Sequence, residues 1–329
     1  MKILFVGDPH VVSSEFKDCW ALVNLIDKVA NKSVPDHICI LGDLYHNHSV
    51  IDAEVMLFWD QALNQLTKNF PVIVLKGNHD QPNNKVSSAS SLIAHKGINR
   101  LTVVDHGPIE VNGVVFIPYA SSQEQLVEWV TRHPKAKSLI CHNTFKGAVY
   151  DNGTIAHDYY DQSLVPQEFI LSGHIHTPME LRVPKRIVYP GAPRWRTASD
   201  ANTERSLMMV NFKDGSPEWT FTYSTAEDCS PIFHLVDDQD NPLWEQDLKL
   251  RGNARYIIDI KGSESWIKER KAKYPFARIR SFPVTKAIDL KESDGIAESL
   301  AKWSDQFVPL NKTPKEVLQE RLTRIWPKT

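Results

Sequence analysis

Five short apolar segments of this chain each run directly into Asp, His or Asn residues. The polar endings, in chain order, are Asp8 with His10, then Asp43, then Asn78 with His79 and Asp80, then His142, and finally His174 with His176. Carboxylate and amide oxygens and imidazole nitrogens are good ligands for divalent metal ions, and the set suffices for two ions and one acid–base residue. Such a pair of ions can clamp the attacking and leaving oxygens of a displacement at phosphorus. The residue types therefore indicate hydrolysis of a phosphate ester.

The apolar segments explain how these side chains could meet. Short apolar runs bounded by glycine and polar residues are typical of fully buried β-strands. In an open α/β sheet, ligands bind beyond the carboxyl ends of the strands, so we expect the five endings to converge on one edge of the sheet. Asp8 and His10 are two residues apart, as are His174 and His176. This spacing lets both members of each pair point to the same side of the strand.

Asp43 is predicted to bridge the two ions, because a carboxylate that ends a central strand can reach both. The two predicted ligand sets, each completed by Asp43, are Asp8, His10 and His176 for one ion and Asn78, His142 and His174 for the other. Carboxylate, imidazole and amide ligands without a thiolate favour Mn²⁺, ahead of Mg²⁺, Fe or Zn²⁺.

His79 is adjacent to a predicted ligand but is not needed to hold either ion. An imidazole in this place can donate a proton to the leaving oxygen or stabilise charge on the phosphoryl group. Asp80 follows it directly, and carboxylates commonly orient catalytic imidazoles, so we predict that Asp80 orients His79.

Composition limits the class of protein. The chain has 329 residues, more than one core of ordinary size needs, with the apolar and charged fractions of a globular protein. No apolar run approaches the roughly 20 residues of a membrane span, and Met1 leads directly into the first strand, so we expect neither a membrane partner nor a leader. Four cysteines without C-x-x-C spacing fit a reducing, cytoplasmic compartment.

A net charge of −2 gives no global attraction for nucleic acid, so any DNA contacts must be local.

The order of the elements predicts the fold class. Helical periodicity around 16–30 and 55–66 gives β-α-β-α-β over the first three strands, which favours a mostly parallel core. The turn Asn112-Gly113 predicts a hairpin between 101–105 and 114–118. Segments 187–189, 207–210 and 219–221 are expected to be successive antiparallel strands. The predicted fold is α/β, with two sheets packed face to face between outer helices and a small α+β cap domain at the C-terminal side.

Three parts of the chain are predicted: a core domain at 1–225, a DNA-contacting cap domain at 226–310 and a tail at 311–329. Within the cap, 226–254 is turn-rich and acidic, 256–260 and 276–280 are predicted strands, and 263–273 and 291–304 are predicted helices. The cap carries none of the candidate ligands, so we expect it to contact substrate. Thr313, Pro314 and Glu316 form a capping box that predicts a tail helix near 313–325, which packs either on its own domain or on a partner.

As a set, the metal-type motifs resemble the complete signature of the calcineurin-like metallophosphoesterases. The segments Gly42-Asp43-Leu44-Tyr45-His46 and Tyr189-Pro190-Gly191-Ala192 further resemble the SbcD-type nucleases, the nuclease subunits of SbcC–SbcD complexes, including versions encoded by bacteriophages. The resemblance implies a Mn²⁺-dependent double-strand DNA exonuclease and single-strand endonuclease that acts in DNA repair and recombination. It also implies that His46 lies near the site, whereas we expect His48 to be a solvated loop histidine.

The same resemblance implies partners. It predicts a homodimer through the helices near 50–68 and an SbcC-like ATPase with long coiled coils. The tail helix near 313–325 is the candidate element for binding that ATPase.

Three other functions are compatible with some or all of the metal-type motifs. Protein serine/threonine phosphatases continue the second motif to Asp-Arg-Gly, whereas residues 44–48 contain no arginine. A phosphodiesterase acting on a cyclic nucleotide or other small phosphodiester would share every metal motif. A non-catalytic assembly subunit that binds metal only for stability would not need the pair His79 and Asp80.

Local cations are the candidates for DNA contact. The cations are Arg194 and Arg196 after the last metal motif and Lys268, Lys271 and Lys273 on the predicted cap helix, and Trp195 is an aromatic candidate between the two arginines. Arginine and lysine can hold phosphates, and a tryptophan can stack on a base, although a solvated charged face explains each residue equally well.

Overall fold

In the computed structural model of the protein, the described residues are 1–83, 89–243 and 250–284. The helix predicted at 291–304 and the tail helix predicted near 313–325 lie outside these ranges. Within them, no helix is long and apolar enough to cross a membrane.

The strands of the described ranges, in chain order, are β1 (Lys2–Val6), β2 (His37–Ile40), β3 (Val72–Leu75), β4 (Leu101–Val104), β5 (Ile109–Val111), β6 (Val114–Phe116), β7 (Ser138–Cys141), β8 (Phe169–Ser172), β9 (Met179–Leu181), β10 (Arg186–Tyr189), β11 (Ser206–Lys213), β12 (Ser216–Ser224), β13 (Ile232–Asp238), β14 (Arg255–Gly262) and β15 (Ala277–Pro283). The α-helices are α1 (Phe16–Ser33), α2 (Ala53–Thr67), α3 (Gln123–Thr131) and α4 (Glu264–Lys273).

Two mixed sheets form the centre of the fold. The first has the strand order β12-β11-β1-β2-β3-β4, in which β1 to β4 are parallel. Helix α1 connects β1 to β2, and α2 connects β2 to β3. The second has the order β5-β6-β7-β8-β10-β9, with β6, β7, β8 and β10 parallel. The strands that precede the predicted metal ligands therefore occupy the middle of both sheets.

Alternation along the strands builds a layered core. Ile3 and Phe5 of β1 pack against residues of the second sheet such as Phe116 and Leu171. The opposite face of the first sheet packs on α1 and α2, and the opposite face of the second sheet packs on α3. This is the α/β/β/α arrangement that the sequence predicted. Successive side chains of a strand point to opposite faces of the sheet, so each strand can contact the other sheet on one face and a helix on the other.

Helix ends follow local chemistry. Asp52 caps α2 by accepting from the Glu54 N–H at 2.8 Å, and Ser122 caps α3 by accepting from the Gln125 N–H at 3.2 Å. The end of α1 is set by Val34, whose φ of 47° places it in the left-handed region directly before a proline.

Three details of the predicted strands were wrong. The hairpin at Asn112-Gly113 joins β5 to β6, whereas 101–104 is β4 and pairs with β3 in the first sheet. Strand β10 lies parallel to β8 in the second sheet and is not antiparallel to β11. Residues 232–238, within a segment predicted to be turn-rich, form β13. Sequence patterns identify strands but carry little information about which sheet receives them.

The described residues divide into two compact units. The larger comprises 1–235, 250–258 and 276–278, and the described part of the smaller comprises 236–243, 259–275 and 279–284. Strands β13, β14 and β15 form a three-stranded sheet in that order. In the smaller unit, the buried Asp237 carboxylate accepts from the Arg270 guanidinium at 2.5 and 3.0 Å and from the Tyr274 hydroxyl at 2.9 Å. The predicted boundary at residue 225 and the DNA-contacting role of 226–310 stay predictions.

Candidate metal centre

The predicted ligands come together from the ends of five strands, but these strands belong to two sheets. Asp8 and His10 follow β1, Asp43 follows β2 and Asn78 follows β3 in the first sheet. His142 follows β7, and His174 and His176 follow β8, in the second sheet. The expectation of one sheet edge was therefore wrong, and the site lies where the carboxyl ends of two packed sheets meet.

Asp43 occupies the centre of the cluster. Its Oδ2 lies 3.4 Å from His10 Nε2 and 3.3 Å from His142 Nε2, so it faces imidazoles from both sheets. Its Oδ1 accepts the His79 backbone N–H at 2.8 Å, which holds the carboxylate in place. A Cβ at Gly77 would come within 2.1 Å of the same Oδ1, so only glycine fits there. One carboxylate oxygen is thus positioned between two groups of ligands, as a bridge requires.

The first ligand group surrounds His10. The Nε2 atoms of His10 and His176 are 3.0 Å apart. Asp8 is fully buried, and its Oδ1 accepts the His174 backbone N–H at 3.1 Å while its Oδ2 has no hydrogen-bond partner in the described chain. A buried carboxylate oxygen without a partner next to two converging imidazole nitrogens fits a cation and would otherwise be costly.

The second ligand group surrounds Asn78. Its Oδ1 lies 3.0 Å from His142 Nε2 and 2.7 Å from His174 Nδ1, and these two nitrogens are 3.3 Å apart. His142 Nδ1 donates to the Leu41 carbonyl oxygen at 2.7 Å, which leaves the Nε2 lone pair facing the cluster. Both groups offer donor atoms that suit a divalent ion, and the nitrogens of His10, His46 and His79 also lie within 4.8 Å of one another. The division of the ligands between two ions stays a prediction.

Electrostatics favour the metal-binding forms of Asp43, His10 and His174. Burial raises the pKa of Asp8, and burial would lower the pKa of His176 but Asp151 and Asp8 raise it. Burial alone would raise the pKa of Asp43, but His142 and His10 outweigh it and hold that pKa well below its ordinary range. Burial lowers the pKa of His10, and burial together with repulsion from His142 lowers the pKa of His174 to about 3. His142 differs: burial would lower its pKa, but Asp43 and Asp8 raise it to about 9, so an ion there competes with a proton.

His79 lies between His10 and the loop at 46–48. Its Nδ1 donates to the His46 carbonyl oxygen at 2.5 Å, and its ring packs edge-to-face on His10 with the centroids 4.7 Å apart. The His48 ring stacks on it at 3.9 Å, so His48 is part of the site and not the solvated residue that we expected. Because Nδ1 is engaged by a carbonyl, Nε2 is the atom of His79 left for a reacting group.

Asp80 does not orient His79, which corrects our prediction. The Asp80 carboxylate accepts the backbone N–H groups of Tyr45 at 3.2 Å and Gly77 at 2.9 Å. Burial and the charge of Asp43 raise the pKa of Asp80 to about 7. Its role is to tie the loop after β3 to the loop after β2, and the partner that orients His79 is a backbone carbonyl.

Arg194 is not available for the predicted DNA contact. It is 1% exposed, and its guanidinium donates to the carbonyl oxygens of Pro9 at 3.1 Å and His10 at 2.8 Å and to the Glu15 carboxylate at 2.5 Å. A buried group with these partners cannot reach a DNA backbone, so the prediction was wrong for Arg194. The residue instead fixes the loop that carries His10.

The two neighbours of Arg194 differ in exposure. Trp195 is 2% exposed and its indole N–H donates to the Thr203 carbonyl oxygen at 3.0 Å, so the predicted base stacking is wrong. Arg196 keeps 14% of its side chain exposed and donates to His46 Nδ1 at 3.1 Å. Burial and the Arg196 charge lower the pKa of His46 to about 4. Arg196 and His46 therefore border the metal centre, and the DNA contact of Arg196 stays a prediction.

The cap-helix lysines occupy the expected helix. Lys268, Lys271 and Lys273 are exposed on α4, and Lys273 Nζ lies 3.4 Å from the Glu269 carboxylate. Their contact with DNA stays a prediction.

The residues that contact the predicted ligands from outside the cluster were not identified from the sequence. Asp151 Oδ2 lies 3.3 Å from His176 Nδ1, and Asp151 Oδ1 accepts the Thr177 hydroxyl at 2.7 Å. This contact leaves His176 Nε2 free to face His10. Tyr119, in the loop after β6, stacks near His174 with the ring centroids 6.2 Å apart. Neither residue belongs to a short motif, so spacing along the chain carried no signal for them.

Two packed sheets that share a two-ion ligand cluster at their carboxyl ends define the class of metal-dependent phosphoesterases. Residues 1–178 match the family described as calcineurin-like phosphoesterase, and the chain belongs to that family. The family fold implies divalent metal ions, and the ligand groups around Asp43 are where this chain would hold them.

Known proteins similar to this chain are distant in sequence. Protein 078R of Invertebrate iridescent virus 3, whose name assigns it provisionally to the phosphoesterases, is 26% identical over 256 residues, which cover 70% of this chain and 71% of that protein. The DNA double-strand break repair protein Mre11 of Nanoarchaeum equitans is 24% identical over 302 residues, 80% of this chain and 78% of that protein. A solved structure of a hypothetical protein from Thermus thermophilus gives a TM-score of 0.42 at 14% identity, covering 68% of this chain and 98% of that chain, a likeness too low to carry an argument.

Replacement of Asp43 by alanine is expected to abolish binding of both ions, because the shared carboxylate belongs to each ligand group. Metal analysis of protein equilibrated with Mn²⁺ measures the stoichiometry. His79→Ala is the matched control, since it removes a buried neighbour of the cluster without removing a ligand, and it should keep both ions. Equal metal content in wild type and Asp43→Ala would contradict the bridging role.

Replacement of Asp151 by asparagine is expected to weaken binding of the ion next to His176 by about 10–100-fold, the usual effect of losing a carboxylate that orients a ligating histidine. Isothermal titration with Mn²⁺ measures the affinity. Asp240→Asn, at an exposed position, is the control for the charge change and should leave the affinity unaltered. An Asp151→Asn titration that overlays the wild type would show that Asp151 does not support His176.

Proposed function

We propose that this phosphoesterase is a Mn²⁺-dependent DNA nuclease of the SbcD type, with double-strand exonuclease and single-strand endonuclease activities. The observation that carries the proposal is the position of Asp43 between two complete ligand groups, with His79 beside them and not needed by either. This arrangement suits in-line displacement at a phosphodiester, for which two ions activate the attacking water and neutralise the leaving oxygen.

The residues of the chain have separate tasks in this proposal. Asp43 and the two ligand groups would hold the divalent ions, whose positive charge would attract the phosphate to the place where the carboxyl ends of the two sheets meet. Arg194 and Asp80 hold the loops that carry the ligands, because both bind backbone groups of those loops. Arg196 lies beside His46 at the border of the site and adds positive charge for an anionic substrate.

His79 transfers the proton to the leaving oxygen. Its Nδ1–H is engaged by the His46 carbonyl and its ring is enclosed by His10 and His48, so Nε2 is presented in one orientation. Burial outweighs the charge of Asp43 and lowers the pKa of His79, whereas an anionic phosphate bound beside it would raise that pKa and favour the protonated imidazole that donates. Fixed geometry and a nearby anion are the conditions that proton donation requires.

A polymeric substrate is supported by the extent of the similarity. The Mre11 protein of Nanoarchaeum equitans aligns with 80% of this chain, well beyond the matched family region of 1–178. A role in DNA repair and recombination, a cytoplasmic location and an SbcC-like ATPase partner are parts of the proposal that rest on resemblance. The exposed lysines of α4 are its candidates for holding DNA phosphates.

The nuclease activity is tested with end-labelled duplex and hairpin DNA in Mn²⁺, run beside a simple aryl phosphodiester. Wild type is expected to cut DNA, and His79→Ala should lower the cleavage rate by about 10²–10⁴-fold with both ions retained, because the proton donor is lost. Asp240→Asn again serves as a control variant with wild-type rates.

The outcomes separate the alternatives. Hydrolysis of the aryl ester without cleavage of DNA would favour a phosphodiesterase for small substrates and reject the nuclease. Absence of hydrolysis with both ions bound would favour a non-catalytic metal-binding subunit. Full activity of His79→Ala would contradict the assignment of the proton donor.

We also propose that the protein forms a homodimer. Val50 and Ile51 before α2 are 71% and 44% exposed, and Met56 and Leu57 on α2 are 39% and 57% exposed. Several exposed aliphatic side chains within eight residues of the chain are what an interface with another copy would use. Their position coincides with the helices near 50–68 through which the resemblance implies dimer formation.

Leu57→Glu is expected to convert the dimer into a monomer, because a charge at the centre of an apolar interface is costly to bury. Sedimentation velocity over a range of concentrations measures the oligomeric state. Val183→Glu adds the same charge at an aliphatic side chain that is 84% exposed and outside α2, and it should remain dimeric. A wild type that is monomeric throughout would reject the proposal.

A further inference from the structure

A cavity of about 260 Å³ lies next to the candidate metal centre. Its walls include Tyr119, Gln123, Asp158, Tyr159, Tyr160 and His174. Because His174 belongs to the second ligand group, a molecule that fills this cavity is close to any phosphate held at the centre. The volume is below the range of pockets for drug-sized ligands and suits a small planar group.

Aromatic rings form much of the cavity wall. Tyr119 is inclined by 27° to the ring of His174, and the Tyr160 hydroxyl donates to the Ala120 carbonyl oxygen, which fixes that ring. Tyr159 differs because it is 43% exposed, with Lys146 Nζ 5.9 Å from its ring centroid. An exposed tyrosine ring at the wall of a cavity offers a flat face on which a planar ligand can stack.

Gln123 contributes a buried hydrogen-bond donor. Its Oε1 accepts the Asp161 backbone N–H at 2.6 Å, and this contact fixes which end of the amide is nitrogen. The Nε2 atom is buried and has no hydrogen-bond partner in the described chain. Buried donors are almost always satisfied by protein, water or a ligand, so a molecule in this cavity can supply the acceptor that Gln123 Nε2 needs.

We propose that this cavity binds the nucleobase of a nucleotide whose phosphate is held at the metal centre. The base stacks on Tyr159, and a carbonyl oxygen or ring nitrogen at its edge accepts from Gln123 Nε2. A nucleobase is the ligand that satisfies both features, because a simple aryl group lacks the acceptor and a sugar phosphate lacks the flat face. The inference rests on the proposed function and assigns the substrate class as nucleotide esters.

Two types of ester with the same leaving group test the proposal. The p-nitrophenyl esters of thymidine 5′-phosphate and thymidine 3′-phosphate carry a base, whereas methyl p-nitrophenyl phosphate does not. With Mn²⁺, wild type should hydrolyse at least one thymidyl ester with the higher kcat/KM. Tyr159→Ala and Gln123→Leu should each lower that value about tenfold through KM and leave the methyl ester unchanged. Tyr159→Phe keeps the ring and should retain wild-type KM.

A variant effect that is equal for both types of ester, or absent for both, would overturn the nucleobase site while leaving the phosphoesterase proposal intact. If wild type hydrolyses neither type, the DNA cleavage assay decides the proposed function and calorimetry decides the inference. Tighter binding of thymidine 5′-monophosphate than of methyl phosphate, weakened in Tyr159→Ala, would then support the cavity. Equal binding of the two phosphates would overturn it.

Discussion

Asp43 Oδ2 lies 3.4 Å from an imidazole nitrogen of the first sheet and 3.3 Å from one of the second, so a single oxygen is shared by the ligands of both sheets. Two buried carboxylates, Asp8 and Asp43, are costly in a protein interior unless positive charge compensates them. The surrounding imidazoles compensate part of that charge, and divalent ions would compensate the rest. The loops around Asp43, including the glycine at position 77 that leaves room for its carboxylate, follow from this requirement.

Much of this arrangement could be predicted from the sequence because it depends on local patterns. Short apolar runs indicated the central strands, and a polar residue directly after each run indicated side chains that the structure brings together at one place. The layered fold followed from alternation along the strands and from the helical periodicity of α1 and α2. These patterns are informative for general physical reasons. A strand buried on both faces must be apolar along its length, and the residues that follow parallel strands meet at the carboxyl end of the sheet.

The errors concern contacts between residues that are distant along the chain. Arg194 and Glu15 are separated by 179 residues, and Asp151 and His176 belong to different loops, so no spacing reveals either pair. Asp80 follows His79 in sequence, yet the fold directs its carboxylate to Tyr45 and Gly77. His48 resembled a loop histidine because its stacking partner is supplied by another strand. Adjacency in sequence suggested the wrong partner for His79, and only tertiary structure identified the His46 carbonyl.

The division of the ligands between two sheets also has a consequence for biosynthesis. Asp8, His10, Asp43 and Asn78 are made early, whereas His174 and His176 follow β8, almost a hundred residues later than β3. During translation, strands β1 to β3 therefore emerge with an incomplete set of acidic and imidazole groups, which the strands of the second sheet complete before β11 and β12 are made. Tight retention of cations then coincides with the joining of the two halves, and the nascent polypeptide is protected from acquiring hydrolytic competence before it is fully assembled.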